Sequence, residues 1–360
     1  MECEIKTNSD RSNIQGFFPA CYTELFFIIL PQLKQGMKRG RFSVSMKKIF
    51  CFLFLLIIAN LAAIAQQDPQ FSFNKLTHLT VNPGFAGSNE GINGLILNRY
   101  QWSGFDGAPK TLVFSVSSRT KLFGIQSGVG LNIISDEQGF ERNARINFNY
   151  AYLTTTGLGD LGIGASVGFF NKSYNGKWEV PGNEGDVNWD ANDPLAPEAE
   201  FSQLALDIGF GVYLKSKDYF VGTSVTHINQ AEIKYNGEVF DYFARHYYLL
   251  GGYNISLPDP LFVLQPSVFV KTDMASLQAD LNIELIYNNR VAGALNYRLN
   301  ESFGVLLRYE LSNGLKAGYA FDLVTSALGR YGYGSHELFI AYTVDLGKGR
   351  LKKYKSVRFL

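Results

Sequence analysis

The chain has 360 residues, with 33 Lys and Arg against 32 Asp and Glu, and 46% of its residues are hydrophobic. That balance gives no global basic field for nucleic acid. All three cysteines, Cys3, Cys21 and Cys51, fall in the first 51 residues, so the rest of the chain has no disulfide, thiol chemistry or cysteine metal site.

The first element is a leader. Met46-Lys-Lys precedes the apolar run Ile49 to Ala65, which closes on Ala63-Ile64-Ala65 before Gln66. A basic start, an apolar stretch and a small-residue site describe a secretory signal peptide over 46–65, cut between Ala65 and Gln66. The run falls short of the roughly 20 residues a spanning helix needs. Residues 1–45 lie upstream of a complete signal and read as a mis-assigned extension, with Met46 the true start. Eight basic and four acidic residues precede Gln66, leaving 25 and 28 and a net charge of −3.

Residues 66–91 are not strand-like. Asp68-Pro69 opens the segment and Asn82-Pro83-Gly84 marks a turn near its end, because Pro fixes φ and Gly supplies positive φ. Phe71, Phe73, Leu76, Leu79 and Phe85 predict a structured segment that packs into or beneath the strands downstream.

From Ile92 to residue 346 the pattern has period two. In Arg145 to Leu153 the apolar set is Ile146, Phe148, Tyr150 and Tyr152, while Arg145, Asn147 and Asn149 take the other face. About fourteen such runs succeed one another, near 92–101, 110–118, 125–135, 142–154, 160–174, 202–215, 219–229, 243–256, 261–272, 276–287, 290–299, 302–311, 314–323 and 335–345. No stretch shows a helical period. The apolar face suits either a soluble sandwich or a lipid-facing barrel. Runs of about 9–13 residues, a polar opposite face, aromatics near strand ends, an even count and a secretory signal favour the barrel. The expected fold class is all-β, a transmembrane antiparallel β-barrel of the outer membrane. Gly128, Gly130, Gly162, Gly164, Gly209 and Gly211 within strands fit a barrel that packs its interior. With both termini periplasmic, the odd connections should be extracellular, and the longest, near 175–201, 230–242 and 324–334, are all odd.

The first connection, Arg99 to Thr111, turns on Gly104, Gly107 and Pro109 and carries the rings Trp102 and Phe105. Two rings on a polar loop point to a contact with a partner or with the amino-terminal segment. Residues 347–360 form a basic tail, expected in the periplasm near anionic headgroups.

Signs of catalysis are missing. His78, His227, His246 and His336 are not spaced as metal ligands on one strand face. His336 and Glu337 adjoin in sequence and so point to opposite faces of a strand. No Gly-x-Ser-x-Gly elbow is present. Asp186 to Asp193 resembles a calcium loop but has Ala191 for the turn Gly and Pro197 for the bidentate Glu. The expectation is no enzyme, no cofactor and no metal.

The motifs are specific enough to carry a resemblance. Gln67-Asp-Pro-Gln-Phe71, Asn82-Pro-Gly-Phe-Ala-Gly87, Arg99-x-Gln-Trp-x-Gly-Phe-Asp-Gly-Ala-Pro-Lys-Thr111, Pro266-Ser267 with Lys271, Gly318-Tyr-Ala-Phe-Asp322 and Gly334-Ser335-His336-Glu337 run in order through nearly the whole chain after the leader. The chain resembles the PorP/SprF family of outer-membrane proteins attached to the type IX secretion and gliding machinery. The resemblance implies a non-enzymatic barrel that works with translocon components in outer-membrane lipid. It would support export or surface attachment of a secreted client, such as an adhesin with a C-terminal sorting domain. Asn82, Pro83, Trp102, Phe105, Asp106, Gly107 and Pro109 are then the candidate partner contacts, and Gly334 to Glu337 a structural motif. The competing reading is a porin-like or hydrophobic-substrate channel.

Overall fold

The structure is a computed structural model that describes residues 68–104, 106–175, 200–235, 238–330 and 332–344. The upstream extension, the signal peptide with Ala63, Ala65 and Gln66, Phe105, the calcium-like loop and the basic tail lie outside the described residues.

Seventeen strands are described, and fourteen of them close into one antiparallel barrel. They are β1 (Ile92–Tyr100), β2 (Lys110–Leu122), β3 (Ile125–Gln138), β4 (Glu141–Thr156), β5 (Gly159–Asn175), β6 (Glu200–Lys215), β7 (Tyr219–Thr226), β10 (His246–Tyr253), β12 (Phe262–Thr272), β13 (Leu277–Tyr287), β14 (Val291–Arg298), β15 (Ser302–Glu310), β16 (Leu315–Val324) and β17 (Ser335–Val344). Each pairs with its sequence neighbour, β10 pairs with β12, and β1 pairs with β17 to close the ring. The two-residue β11 (Ile255–Ser256) continues β10 along β12.

The alternation predicted from the sequence is the inside-out alternation of a membrane barrel. Along β4, Arg145, Asn147, Asn149 and Ala151 are buried while Ile146, Phe148, Tyr150 and Tyr152 are exposed. Water would oppose so much exposed apolar surface, whereas lipid tails accept it. Strands of 8 to 17 residues give the length that a tilted crossing requires.

Antiparallel order puts the connections alternately at two ends. At one end β1, β3, β5, β7, β12, β14 and β16 finish, with the connections 139–140, 273–276 and 299–301 among them; this is the loop end. At the other lie the short turns, such as 123–124, 157–158 and 288–290. The connection after β7 carries a hairpin, β8 (Glu232–Tyr235) with β9 (Glu238–Tyr242), that the sequence pattern did not separate.

The segment before β1 packs inside the barrel. It holds a single helical turn, α1 (His78–Val81), and a 3-10 turn over Pro83–Phe85, both too short for a helical period to show in the sequence. Its apolar side chains make the internal core. Phe71 and Phe73 pack with Leu97, Val113 and Phe339; Val81 and Phe85 pack with Tyr213, Tyr248 and Phe269. The rings of Phe73 and Phe339 meet edge to face at 4.6 Å.

The segment runs lengthwise. Asp68 is held at the loop end by Arg145, His227 and Tyr248. Ser72 meets Asp322 and Glu337, Lys75 meets Glu284, Asn82 meets Val212 and Thr223, and Lys215 meets Ser88 and Asn89 at the turn end. Val344, the last described residue, pairs with Ile92 at the turn end. The described chain therefore begins and finishes at opposite ends of the barrel. The segment spans the lumen before β1 begins, and the two termini, expected in the periplasm, lie outside the described residues.

Candidate functional site

The segment from Asp68 to Asn89 plugs the barrel, and the half of this plug nearer the turn end rests on a floor without side chains. Gly164, Gly162, Gly211 and Gly128 face the turn Asn82-Pro83-Gly84 and the adjoining Ala86. A Cβ at Gly164 would lie 2.5 Å from the Pro83 carbonyl, one at Gly162 2.2 Å from the Gly84 oxygen, and one at Gly128 1.9 Å from the Ala86 oxygen. The strands carry glycine there because backbone meets backbone. Asn82 is fully buried; its Nδ2 donates to the Val212 carbonyl at 3.0 Å and its Oδ1 accepts from Gly84 N at 2.9 Å.

Higher up, three distant motifs converge on Ser72. Arg99 from β1 donates through Nη1 to Glu337 and to the Ser72 hydroxyl, and through Nη2 to Asp322, each at 2.9 Å. Glu337 accepts the backbone N–H groups of Ser72 and Phe73, both at 2.8 Å. Ser72 Oγ donates to Asp322 at 2.6 Å. Arg298 adds bonds to Asp280, which also accepts from Gln70. These charged groups are almost fully buried, and burial is tolerable only because each is paired and hydrogen-bonded.

At the loop end the chain is latched by Asp68. Its carboxylate faces Arg145 Nη1 at 3.3 Å, His227 Nε2 at 3.2 Å and the Tyr248 hydroxyl at 2.6 Å, while its carbonyl accepts from Lys271 at 2.8 Å. Burial disfavours the carboxylate, yet Arg145, His227 and His246 outweigh it and hold Asp68 well below the usual carboxylate range. Burial likewise opposes a charged His227, but Asp68 and the hydrogen bond to Asp207 win and push its pKa up to about 9. Asp68, His227 and His246 offer ligand atoms within 4.8 Å of one another. They come from three separate elements, which is why spacing gave no sign of them. The chemistry suits an ion pair better than a divalent cation. Arg145 already occupies the carboxylate, and His246 Nε2 accepts from Asp68 N at 3.4 Å.

The latch forms part of the lining of a cavity of about 610 Å³ that opens among the loops. Trp102 and Pro109 of the first connection line it, with Arg145, Lys172, Phe243 and Lys271. Trp102 has φ 51°, and Gly104 and Gly107 have φ 90° and 75°, so the loop takes a path that favours glycine at its bends. It is tied to the last connection: Ser103 N donates to Gly334 O at 2.8 Å, Trp102 N to Ser335 Oγ at 3.1 Å, and Tyr333 N to Ser103 O at 2.7 Å.

The candidate contact residues therefore divide. Asn82 and Pro83 are buried against the barrel wall, so in this structure they are plug contacts and not surface a partner reaches; the turn they form was legible, its docking was not. Trp102 and Pro109 line the cavity, and Asp106 and Gly107 are exposed in the same connection. Gly334 and Ser335 hold the first loop, His336 stays on the outer face with its Nδ1 2.6 Å from the Tyr319 hydroxyl, and Glu337 points inward to Arg99. Sequence reasoning passed over Asp68, Arg145, His227 and Lys271 as a group, since no spacing connects them.

The family model for "Type IX secretion system membrane protein PorP/SprF" matches residues 63–342, well over half of the chain. The chain belongs to the PorP/SprF family. No curated relative matches it. Solved structures similar to this PorP/SprF protein include the outer membrane protein Omp33 of Acinetobacter baumannii, at 7% identity and TM-score 0.41 over 71% of this chain and 98% of that one. Another is the toluene transporter TbuX of Ralstonia pickettii, at 12% identity and TM-score 0.43 over 74% of this chain and 92% of that one. The motif positions Asp68, Asn82, Arg99, Lys271, Asp322 and Glu337 all serve the contact between plug and wall in this PorP/SprF barrel.

Proposed function

We propose that this PorP/SprF barrel is a closed, non-enzymatic carrier of the outer membrane. It holds a secreted client at its loop end while working with type IX translocon components. The observation that carries this reading is the filled lumen: the segment from Asp68 to Asn89 occupies the barrel and helps to floor the 610 Å³ cavity. A cavity with a floor receives part of a partner, whereas a solute channel needs a continuous path. The long connections share the cavity's end, which fits an extracellular loop face. The client fitting this reading is a large surface protein, such as an adhesin bearing a C-terminal sorting domain.

Trp102, Asp106, Gly107 and Pro109 are the proposed contacts for that client, with Phe105 beside them in sequence. Trp102 places an aromatic ring at the cavity wall, the residue type that most often anchors an interface. The experiment is Trp102→Ala in cells, read by surface delivery of the client and by heat-modifiability of the barrel on gels. Intact heat-modifiability with lost delivery supports the reading. Normal delivery, or steady open channels from the reconstituted wild type, overturns it in favour of a porin-like role.

A further inference from the structure

We propose that the segment from Asp68 to Asn89 crosses the barrel through its own lumen and presents Asp68, Pro69 and Gln70 at the cell surface, where they form part of the face that meets the client. The client and the surface orientation of this inference rest on the function proposed above; the direction of threading rests on geometry alone.

Three independent contacts fix the direction of the segment. Asp68 bonds to Arg145, which lies near the loop-end start of β4, and to His227 just past β7. Ser72 bonds to Glu337 near the loop-end start of β17. Ser88 and Asn89 bond to Lys215, the turn-end residue of β6. Between them, Leu79 accepts from Asn132 in the middle of β3 and Gly84 rests on Gly162 near the turn-end start of β5, so these contacts descend the barrel as residue number rises. Extended chain covers at most about 3.3–3.6 Å per residue. The roughly twenty residues from Asp68 onward therefore have ample length to cross a hydrocarbon core of about 30 Å with turns included.

Pro69 and Gln70 line the loop-end cavity beside Trp102. The start of the described chain is thus a cavity wall and not a remote tail. A partner seated in the cavity touches Pro69, Gln70 and the first loop together.

The ring is also tied to the segment. β1 and β17 pair over nine residues, from Ile92–Val344 to Tyr100–His336, and Arg99 and Glu337 of that seam are the groups that hold Ser72 and Phe73. The closed seam and the threaded segment therefore share the same two side chains.

Residues 66–360 contain no cysteine, so single cysteines give a clean test. Pro69→Cys, Asp106→Cys at the loop end and Ser312→Cys at the opposite turn are each treated on intact cells with a small charged, membrane-impermeant thiol reagent. Heat-modifiability on gels verifies that each barrel is folded. Labelling of Pro69→Cys and Asp106→Cys on intact cells, with Ser312→Cys labelled only after lysis, is the expected result. Labelling of Asp106→Cys without Pro69→Cys overturns the threading. Labelling of Ser312→Cys alone overturns the surface orientation. Labelling of all three alike on intact cells, or of none before lysis, overturns the proposal as a whole. Client delivery does not enter this readout, so failure of the carrier reading leaves the labelling pattern unchanged.

Discussion

Arg99 and Glu337, 238 residues apart, stand directly opposite each other across the seam where the first and last strands pair, with Nη1 2.9 Å from Oε2. The same carboxylate accepts two consecutive N–H groups of the plug. One ion pair thereby joins barrel closure to plug docking.

Removing Arg99 leaves Glu337 and Asp322 buried without their shared cation. Breaking a buried pair in this way costs about 3–5 kcal/mol. Arg99→Ala should lower the heat-modifiability temperature markedly, and Arg99→Lys should recover little of it, because one ammonium cannot bridge Ser72, Asp322 and Glu337 as the guanidinium fork does. A lysine variant as stable as the wild type would show that charge alone suffices.

The glycine floor predicts a second, local failure. Gly164→Val places atoms where Pro83 lies, so the segment should lift and become open to protease added to purified protein, while the strands stay paired. Gly293→Ala is the control: its Cβ meets nothing nearer than Leu307 at 3.8 Å, and its stability should change by less than about 0.5 kcal/mol. Equal protease resistance in the two variants would count against the docking.

Alkaline pH should loosen the latch. His227 has a folded pKa raised to about 9, so its contribution is complete below its ordinary value of about 6.5 and is lost as pH rises through 9. Asp68 is shifted the other way, so its contribution is present above about 3.9 and is lost only as pH falls through its depressed value. The latch is thus strongest between those limits. Protease accessibility of the amino-terminal end should rise above pH 9, and a flat profile from pH 7 to 10 would refute the assignment.

Asp68→Asn removes the charge that outweighs burial at His227 and leaves Arg145 without its carboxylate. The alkaline transition should move to lower pH, and reconstituted protein should show brief conductance events that the wild type lacks. Unchanged gating and an unchanged transition would place the latch elsewhere.

The sequence by itself determined the barrel. Period-two alternation, as in Ile146, Phe148, Tyr150 and Tyr152 against Arg145, Asn147 and Asn149, fixes which residues share the apolar face, because side chains alternate across a strand whatever its partners, and strand length with a polar opposite face turns that face to lipid. Turn chemistry placed most connections for the same local reason. The Asn82-Pro83-Gly84 turn and the glycines of β5 and β6 were each visible, but not that they meet, since nothing local pairs residue 84 with residue 162. Only the tertiary structure decided that the amino-terminal segment runs through the lumen, that Arg99, Asp322 and Glu337 share one serine, and that Asp68 draws Arg145, His227 and Lys271 together. Closing a barrel brings residues from opposite ends of the chain within bonding distance, and the low-dielectric interior makes pairing among them obligatory.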